Sequence, residues 1–328
     1  MYFKGILSAA YFSLLVGCSP SAPNSIDSVP KNTTLSSAPP PSQAVSQPKI
    51  LKPPANLGAP TNSTLNYQIQ TYRSQVWGSD RTYGIVLPPE YEQQTQAQYP
   101  VIFLLHGGHG DPTAWFIKGK ALKVIERLYA SGKLPPSIIV TPDGNDSRGT
   151  SALWDPEYVN GQYGNVLSAI GDELVQEIKT RYRTLPDPAF WAIGGLSSGG
   201  WGALNVGLHH PQNFKTLFSH SGYFIDKSGT ENSPIDFIRT LDPKMRRSLA
   251  IYLDAGEGDG KYLEQSREFH QVLNQLEVEN QFNEFPGGHG VKGQDVGWGF
   301  WHKHLADSLT YVGERFREAE ANRSISKR

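Results

Sequence analysis

Residues 190–200 read FWAIGGLSSGG, a short apolar run that passes directly into a glycine-rich turn. Gly195, Ser197 and Gly199 form the pattern GxSxG, in which a serine occupies a sharp, strained turn between a strand and a helix. Neighbours without a Cβ let such a turn close and let a second molecule approach the hydroxyl. In an arbitrary glycine-rich protein the same pattern marks an ordinary loop. Here the apolar run before it and the helical pattern after it predict that Ser197 is a nucleophile at a helix N-terminus, where amides stabilise an oxyanion.

The rest of the chain alternates short apolar runs with helical patterns. Such runs between helices predict a parallel sheet that is covered on both faces. Before them, residues 67–76 and 81–87 predict an antiparallel hairpin around a Gly-Ser-Asp turn. The expected fold class is α/β, with a mostly parallel central sheet, helices on both faces and N-terminal antiparallel strands. The predicted sheet runs are 101–105, 137–140, 190–193, 250–253 and 281–285, and the predicted helices are 113–130, 166–183, 200–209, 262–276 and 298–318.

A serine hydroxyl needs a base and an acidic partner to become a good nucleophile. In open α/β sheets such groups are expected in the loops at the carboxyl ends of the strands. Of the nine histidines, His289 lies in a glycine-rich loop between the run 281–285 and the last helix, and we predict that it is the base. The other histidines considered lie in or at the ends of helical patterns, which favours packing or surface roles. His302 and His304 would point to different sides of a helix, which argues against a metal pair.

Three carboxylates follow one predicted strand, namely Asp254, Glu257 and Asp259. Asp254 is still at the strand end, where a structural role is expected. Asp259 lies further into the loop and has room to reach an imidazole, so we predict it as the acid, with Glu257 as the next candidate. The alternative for each is a loop carboxylate that caps the following helix.

Two backbone amides are expected to bind the oxyanion. The loop after the run 101–105 reads HGGHG at 106–110, and because glycines expose amides there, Gly108 is the predicted first donor. The predicted second donor is the amide of Ser198, directly after the nucleophile. Ser198 is also the competing serine, but its position suits an amide donor.

Five blocks of sequence carry a family resemblance. They are LLHG at 104–107 with Trp115, TPDG at 141–144, GLSSGG at 195–200 with WGAL at 201–204, HP at 210–211 with Phe214 and SG at 221–222, and GGH at 287–289. Together they resemble the esterase D-like, or feruloyl esterase-like, family of α/β-hydrolases, over about residues 67–318. That family includes feruloyl and acetylxylan esterases, S-formylglutathione hydrolases, enterochelin esterases and mycolyltransferases. The resemblance implies an α/β-hydrolase fold with the acid at Asp259 and an oxyanion amide at Gly108, while Ser198 stands where the family commonly has Met.

The N-terminus differs in composition from the rest. Residues 1–17 contain one basic residue and an apolar run too short to span a membrane, and they predict a signal peptide. The sequence LVGC at 15–18 resembles the lipobox of bacterial lipoproteins, which implies cleavage before Cys18 and its acylation. The expected location is the cell envelope, with lipidated Cys18 anchored in a membrane and the protein facing the periplasm or the outside. The alternative is a buried N-terminal helix with an incidental cysteine.

Composition also divides the chain into regions. Residues 18–64 are dense in Pro, Ser, Asn and Gln and contain no aromatic residue, which predicts a flexible linker. We expect a catalytic domain over 65–320 and a disordered tail over 321–328. The formal charge is -1, with no long run of either sign, so no nucleic-acid partner is expected. Cys18 is the single cysteine, so no internal disulfide is expected, and the predicted chemistry implies no metal and no cofactor.

The first functional hypothesis is a serine esterase that works through an acyl-enzyme. The substrate would be a feruloyl, acetyl or other acyl ester of a sugar or small alcohol. A second hypothesis keeps the same residues but transfers the acyl group to a sugar or lipid hydroxyl, as mycolyltransferases do. A third is a non-catalytic surface binding protein on the same scaffold. Loop aromatic residues predict either a platform for the substrate or ordinary core packing. These residues are Trp115, Trp154, Tyr158, Tyr163, Tyr223 and Trp298.

Overall fold

A computed structural model describes residues 63–151, 153–290 and 295–326. The predicted signal peptide, Cys18 and the predicted linker up to residue 62 lie outside the described residues. At the start of the described part, the backbone of Thr64 donates a hydrogen bond of 2.9 Å to the carboxylate of Glu126, and Leu65 is buried. Within the described ranges, none of the helices combines the length and the hydropathy that a membrane span requires.

The strands of the described part form one central sheet and one small hairpin. The central strands are β1 (Tyr67–Arg73), β2 (Asp80–Val86), β3 (Val101–Leu105), β4 (Ile138–Pro142), β7 (Trp191–Leu196), β8 (Thr216–His220), β9 (Ala250–Gly256) and β10 (Glu279–Phe285); β5 (Asn160–Gly161) and β6 (Gly164–Asn165) form the hairpin. The order across the sheet is β1-β2-β4-β3-β7-β8-β9-β10. β2 pairs antiparallel with β1 and β4, and every later pair in this order is parallel. The predicted α/β class and the N-terminal antiparallel hairpin are therefore confirmed.

The central strands are continuously buried. Every residue of β3, β7 and β8 is buried, whereas β10, at the edge, alternates between exposed and partly buried residues. A parallel strand with helices on both faces has no polar side, which explains the unbroken apolar runs in the sequence. Polar functional groups consequently lie at the ends of these strands, in the loops that follow them.

The observed helices differ from the predicted ones at several places, and the two between residues 234 and 246 are not predicted at all. The observed helices are α1 (Ala114–Ile117), α2 (Ala121–Ala130), α3 (Val166–Ser168), α4 (Val175–Arg181), α5 (Ser198–His209), α6 (Pro234–Thr240), α7 (Pro243–Arg246), α8 (Lys261–Gln275) and α9 (Trp298–Ser326). The helix predicted over 113–130 is interrupted because Lys120 has a positive φ of 48°. A π-helical stretch, Ala169–Leu174, joins α3 to α4. α9 continues to Ser326, beyond residue 320, where the sequence predicts the end of the domain.

β8 is the element that matters most among those not predicted. It reads Thr-Leu-Phe-Ser-His, and its polar residues are as buried as its apolar ones. It lies between β7 and β9, so its carboxyl end is adjacent to the ends of both strands. Because β3, β7, β8, β9 and β10 are parallel, the loops that follow them meet at one edge of the sheet. These loops carry Gly108, Ser197, Asp259 and His289.

Candidate active site

Ser197 occupies the strained turn that the sequence predicts. It lies between β7 and α5 with φ 52° and ψ -123°, a conformation that a non-glycine residue keeps only when its surroundings fix it. The backbone amide of Ser197 donates a hydrogen bond of 2.9 Å to the carbonyl oxygen of His220 in β8. A Cβ on Gly195 or Gly199 would approach neighbouring backbone atoms closer than 3.0 Å. Both glycines are therefore required for the turn to close.

The side chains of Ser197, His289 and Asp259 form one hydrogen-bonded chain, called the triad below. Ser197 Oγ lies 2.9 Å from His289 Nε2, and His289 Nδ1 lies 2.8 Å from Asp259 Oδ1. The carboxylate of Asp259 accepts a hydrogen bond from the Nδ1–H group of His289, which leaves Nε2 free of a proton and able to accept that of the serine hydroxyl. The Asp259 side chain is fully buried, whereas that of His289 is 25% exposed. The imidazole is thus open to a bound molecule while its partner is shielded.

Asp259 is held as a carboxylate by four contacts. Burial opposes its ionisation, but hydrogen bonds from the side chains of His289 and Ser221, the imidazole charge and the backbone amide of Gly256 outweigh burial and lower the pKa of Asp259 below its usual value. The amide of Gly256 donates to Oδ2 at 2.7 Å and the amide of His289 donates to Oδ1 at 2.6 Å. Both carboxylate oxygens are therefore fixed, and with them the orientation of the imidazole.

The remaining candidates from the sequence lie elsewhere. Asp254 is buried in β9, where its carboxylate meets His220 Nδ1 at 2.7 Å. Glu257 is exposed, and Asp259 is the carboxylate that contacts the base. His302 Nδ1 lies 2.8 Å from the carbonyl oxygen of Gly119. Among the described residues, no group of three or more His, Cys, Asp and Glu side chains is arranged to hold a metal ion.

One predicted oxyanion donor follows Ser197 directly, and the other lies in a loop beside the strained turn. Ser198 is the first residue of α5, so its amide has no acceptor within the helix. Its hydroxyl is buried and meets no hydrogen-bond partner among the described residues, whereas the Ser197 hydroxyl meets His289. In the loop beside the turn, a Cβ on Gly107 would lie 2.6 Å from the side chain of Leu196. The loop that carries Gly108 is therefore packed directly against the turn.

His106 fixes the shape of this loop. It is buried, its Nε2 accepts a hydrogen bond of 3.0 Å from the amide of Gly144, and its Nδ1 lies 2.9 Å from the carbonyl oxygen of Gly107. Burial lowers the pKa of His106, so the imidazole stays neutral. Tyr158 donates to the carbonyl oxygen of His106 at 2.7 Å. The sequence places His106 in the motif but does not indicate that it positions the loop.

The imidazole of His289 is held between two aromatic rings whose contact with it is not predicted from the sequence. Tyr262 stacks on it with ring centroids 4.4 Å apart, and Trp301 meets it edge-on at 5.3 Å. Its loop depends on Gly287 and Gly288, which have φ of 106° and 127°. Spacing alone gives no signal for these ring contacts, because they join α8, α9 and a loop that are far apart in the chain.

A second set of the same three residue types lies beneath the triad. Ser308, His220 and Asp254, called the buried set below, are linked by hydrogen bonds of 2.9 Å at His220 Nε2 and 2.7 Å at Nδ1. All three side chains are buried. Next to this set, Ser221 has a positive φ of 50° and accepts a hydrogen bond of 3.4 Å from Trp301 Nε1. The end of β8 therefore connects the nucleophile, the acid and α9.

A cleft of about 610 Å³ adjoins the triad through the ring of Tyr262. Of the aromatic residues named from the sequence, Trp154 and Tyr223 line this cleft, whereas Trp115 and Tyr158 are fully buried. Core packing is therefore confirmed for Trp115 and Tyr158, and a platform for the substrate stays a prediction for the two residues in the cleft. The lining consists of His109, Leu153, Trp154, Asp155, Pro156, Glu157, Trp201, Tyr223, Ile225, Asp226, Lys227, Lys261, Tyr262 and Gln265.

These features together define the class of protein. A serine in a strained turn above a mostly parallel sheet, joined through a histidine to a buried aspartate, is the arrangement found in α/β-hydrolases. The chain belongs to the family whose model is described as "Putative esterase", which matches residues 74–311.

Similar proteins agree with this membership. The chain is 24% identical over 249 residues to an uncharacterized protein of Corynebacterium glutamicum, a match that covers 70% of this chain and 56% of that protein. It is 31% identical over 199 residues to an endo-1,4-beta-xylanase/feruloyl esterase of Xylanibacter ruminicola, covering 59% of this chain and 25% of that protein. A solved ferulic acid esterase superposes with a TM-score of 0.68 at 29% identity, covering 76% of this chain and 99% of that one. The chain thus matches about half or less of the length of the first two proteins.

Proposed function

We propose that this protein hydrolyses a carboxylic ester through an acyl-enzyme on Ser197. The observation that carries the proposal is the unbroken hydrogen-bonded chain from Ser197 Oγ through His289 to Asp259. Each member has the surroundings that its role requires, because the serine is strained, the imidazole is accessible and the carboxylate is buried and ionised. Membership of the esterase family supports the same reaction.

The proposed acylation step follows from this geometry. His289 Nε2 takes the hydroxyl proton as Ser197 Oγ attacks the acyl carbon, and the carbonyl oxygen becomes an oxyanion. The amides of Gly108 and Ser198 donate hydrogen bonds to that oxyanion. The intermediate then expels the alcohol, which leaves with the proton from His289, and the acyl group remains as an ester of Ser197.

Deacylation repeats the same steps with water. His289 takes a proton from water as the water oxygen attacks the acyl carbon. The second tetrahedral intermediate then breaks its bond to Ser197 Oγ, which takes the proton back from His289, and the acid is released. Asp259 stabilises the imidazolium that forms in both halves of the reaction. Because its pKa is lowered, Asp259 stays ionised at neutral pH.

The proposed substrate is a feruloyl, acetyl or similar acyl ester of a sugar or small alcohol. The relative from Xylanibacter ruminicola is a feruloyl esterase, and an acetyl esterase of Caldicellulosiruptor saccharolyticus is 22% identical over 242 residues. The cleft beside the triad offers Trp154 and Tyr223 as flat apolar surfaces, which suit a phenolic ring or a sugar face.

Turnover of p-nitrophenyl acetate and methyl ferulate by the full-length protein tests the proposal. We expect Ser197→Ala to reduce kcat/KM by about 10⁴-fold or more. Ser198→Ala is the matched control, because it removes the neighbouring hydroxyl but keeps the backbone amide, and it should stay within about tenfold of the wild type. A fluorophosphonate should label the wild type and the control but not Ser197→Ala. Full turnover by Ser197→Ala would contradict the mechanism.

We also propose that Cys18 carries the lipid that holds the protein at a membrane of the cell envelope. Support comes from the sequence LVGC at 15–18, preceded by a short apolar run. In a bacterial host given a labelled palmitate analogue, the wild type should become labelled and remain with the membranes. Cys18→Ala should lose both the label and the membrane association, and equal labelling of the two would refute the assignment.

A further inference from the structure

Asp155 places a carboxylate beside the predicted oxyanion donor. A Cβ built on Gly108 would lie closer than 3.0 Å to Asp155 Oδ1, so the carboxylate covers the α-carbon of that glycine. Asp155 is exposed and lines the cleft. A negative charge this close to the site where a second negative charge develops disfavours the tetrahedral intermediate unless something neutralises it.

Other carboxylates in the cleft already have partners. Glu157 forms ion pairs with Arg148 at 3.3 Å and with Lys227 at 3.5 Å. Asp226 accepts hydrogen bonds from the backbone and the hydroxyl of a neighbouring serine. Within the part of the chain that the structure describes, Asp155 accepts no hydrogen bond and forms no ion pair. Its carboxylate is therefore an open acceptor at the wall of the cleft.

The aromatic wall of the cleft makes this acceptor selective. Tyr223 stacks on the buried ring of Trp201, with ring centroids 5.2 Å apart. The ring of Tyr223 lies 6.2 Å from that of Tyr262, which stacks on His289, so the wall leads from the cleft to the base. A molecule that lies against this wall displaces water from Asp155, and a carboxylate that loses water needs a donor in its place. A plain alkyl chain offers no donor, and a chain that ends in a carboxylate adds a second negative charge.

We infer that Asp155 is a specificity-determining residue that selects esters with an O–H or N–H donor close to the ester carbonyl and rejects esters whose acyl group carries a carboxylate. The inference rests on the proposed esterase function. The donor turns an opposing charge into a charge-assisted hydrogen bond, so the gain is realised where the oxyanion forms. A hydroxyl and an ammonium group both meet this requirement.

Four methyl esters with the same leaving group test the inference on the full-length protein, with acid release measured at constant neutral pH. They are methyl butyrate, methyl 3-hydroxybutyrate, methyl 3-aminobutyrate and monomethyl succinate. For the wild type we expect kcat/KM to be about tenfold higher for the hydroxy or the amino ester than for methyl butyrate. We expect it to be about tenfold lower for monomethyl succinate.

Two variants separate the charge from the acceptor. Asp155→Asn keeps the size of the side chain and removes its charge, so it should remove the penalty on monomethyl succinate. Asp155→Ala removes the acceptor as well, so the hydroxy and amino esters should fall to the rate of methyl butyrate. Glu268→Gln is the matched control, because it removes an exposed carboxylate on α8 outside the cleft lining, and it should keep the wild-type ranking.

Each outcome has a defined meaning. A preference for the amino ester alone or the hydroxy ester alone supports the inference and identifies the donor. Equal rates for all four esters in the wild type, or an unchanged ranking in Asp155→Ala, overturn it. In that case turnover that still depends on Ser197 leaves the esterase function intact. Absence of Ser197-dependent turnover on every ester would instead contradict the esterase function itself.

Discussion

The triad and the buried set contain the same three residue types at almost the same distances, yet only one of them is placed to perform chemistry. The serine-to-imidazole distance is 2.9 Å in both, and the imidazole-to-carboxylate distance is 2.8 Å in the triad and 2.7 Å in the buried set. The side chain of His289 is 25% exposed, whereas that of His220 is 0% exposed. Hydrogen-bond length therefore does not define the site, and access for a second molecule does.

The backbone around the two serines differs as much as their exposure. Ser197 stands in a strained turn before α5, next to free helix amides. Ser308 stands inside α9, where its hydroxyl bonds the carbonyl oxygen of Leu305 at 3.2 Å. Helix-interior amides are already hydrogen-bonded within the helix, so they could not donate hydrogen bonds to an oxyanion at Ser308. A nucleophile thus needs a turn that leaves donors unused, besides a base and an acid.

The buried set nonetheless supports the triad through the backbone. The ring of His220 is hydrogen-bonded to Asp254 on one side and to Ser308 on the other. Its carbonyl oxygen accepts a hydrogen bond from the backbone amide of Ser197. The next residue, Ser221, donates its amide to the carbonyl oxygen of Asp254 at 2.8 Å. We interpret the buried set as a rigid support for the strained turn. This role is structural, whereas the role of the triad is chemical, and variants of the two sets should therefore differ in what they lose.

The largest expected effect is on the triad carboxylate. Asp259→Asn should lower kcat/KM on p-nitrophenyl acetate by about 10⁴-fold, because an amide no longer selects the imidazole tautomer that accepts the serine proton. Glu257→Gln is the matched control in the same loop, since Glu257 is exposed, and it should remain close to the wild type. A loss of less than tenfold in Asp259→Asn, or an equal loss in the control, would remove Asp259 from the proposed mechanism.

The second largest expected effect is a loss of stability when His220 of the buried set is replaced. His220→Ala leaves the carboxylate of Asp254 buried without its imidazole partner, so the free energy of unfolding should fall by about 3–5 kcal/mol. Urea unfolding followed by fluorescence measures this change. His289→Ala is the comparison. It also leaves a buried carboxylate without its imidazole, but Asp259 keeps hydrogen bonds from the backbone amides of residues 256 and 289, so this variant should cost less stability while it removes activity. If the two variants lost equal stability, the distinction between the sets would fail.

The sequence could predict the triad because its signals are local. GxSxG needs two glycines for steric reasons, and His289 and Asp259 each follow a recognisable strand run. β8 and His220 escaped prediction because a fully buried strand that contains Thr, Ser and His has no apolar signature, and its polar groups are satisfied by residues far away in the chain. Ser221 lies in a block of the family resemblance, but no local pattern indicates its contact with Asp259. Asp155 escaped for a related reason, since its position over Gly108 depends on how two loops fold together.

A smaller effect is expected at Ser221, where the two sets meet. Its side chain hydrogen-bonds Asp259 and helps to lower the pKa of that carboxyl. Ser221→Ala should reduce kcat/KM by about tenfold, because one hydrogen bond to a charged group is lost. Alanine is as strained as serine at a φ of 50°, so Ser221→Ala changes the hydroxyl and leaves the backbone strain unchanged. Ser221→Gly also lacks the hydroxyl but relieves the strain, so the comparison of the two variants separates the two effects. Full activity in both variants would show that the hydroxyl does not position Asp259.

The smallest expected effect is a dependence of stability on acid. Because the pKa of Asp259 is lowered from 3.8 in the folded protein, its ionised form contributes stability that is complete above that value and is lost as the pH falls through the folded-state pKa. The stability difference between the wild type and Asp259→Asn should therefore be constant near neutral pH and shrink below about pH 4. Urea unfolding of both proteins across this range measures it, with Glu257→Gln as the exposed reference. If the stability difference grew on acidification, the folded protein would favour the protonated carboxyl of Asp259. His289 would then have no anionic partner to stabilise its imidazolium, and the proposed role of Asp259 would be contradicted.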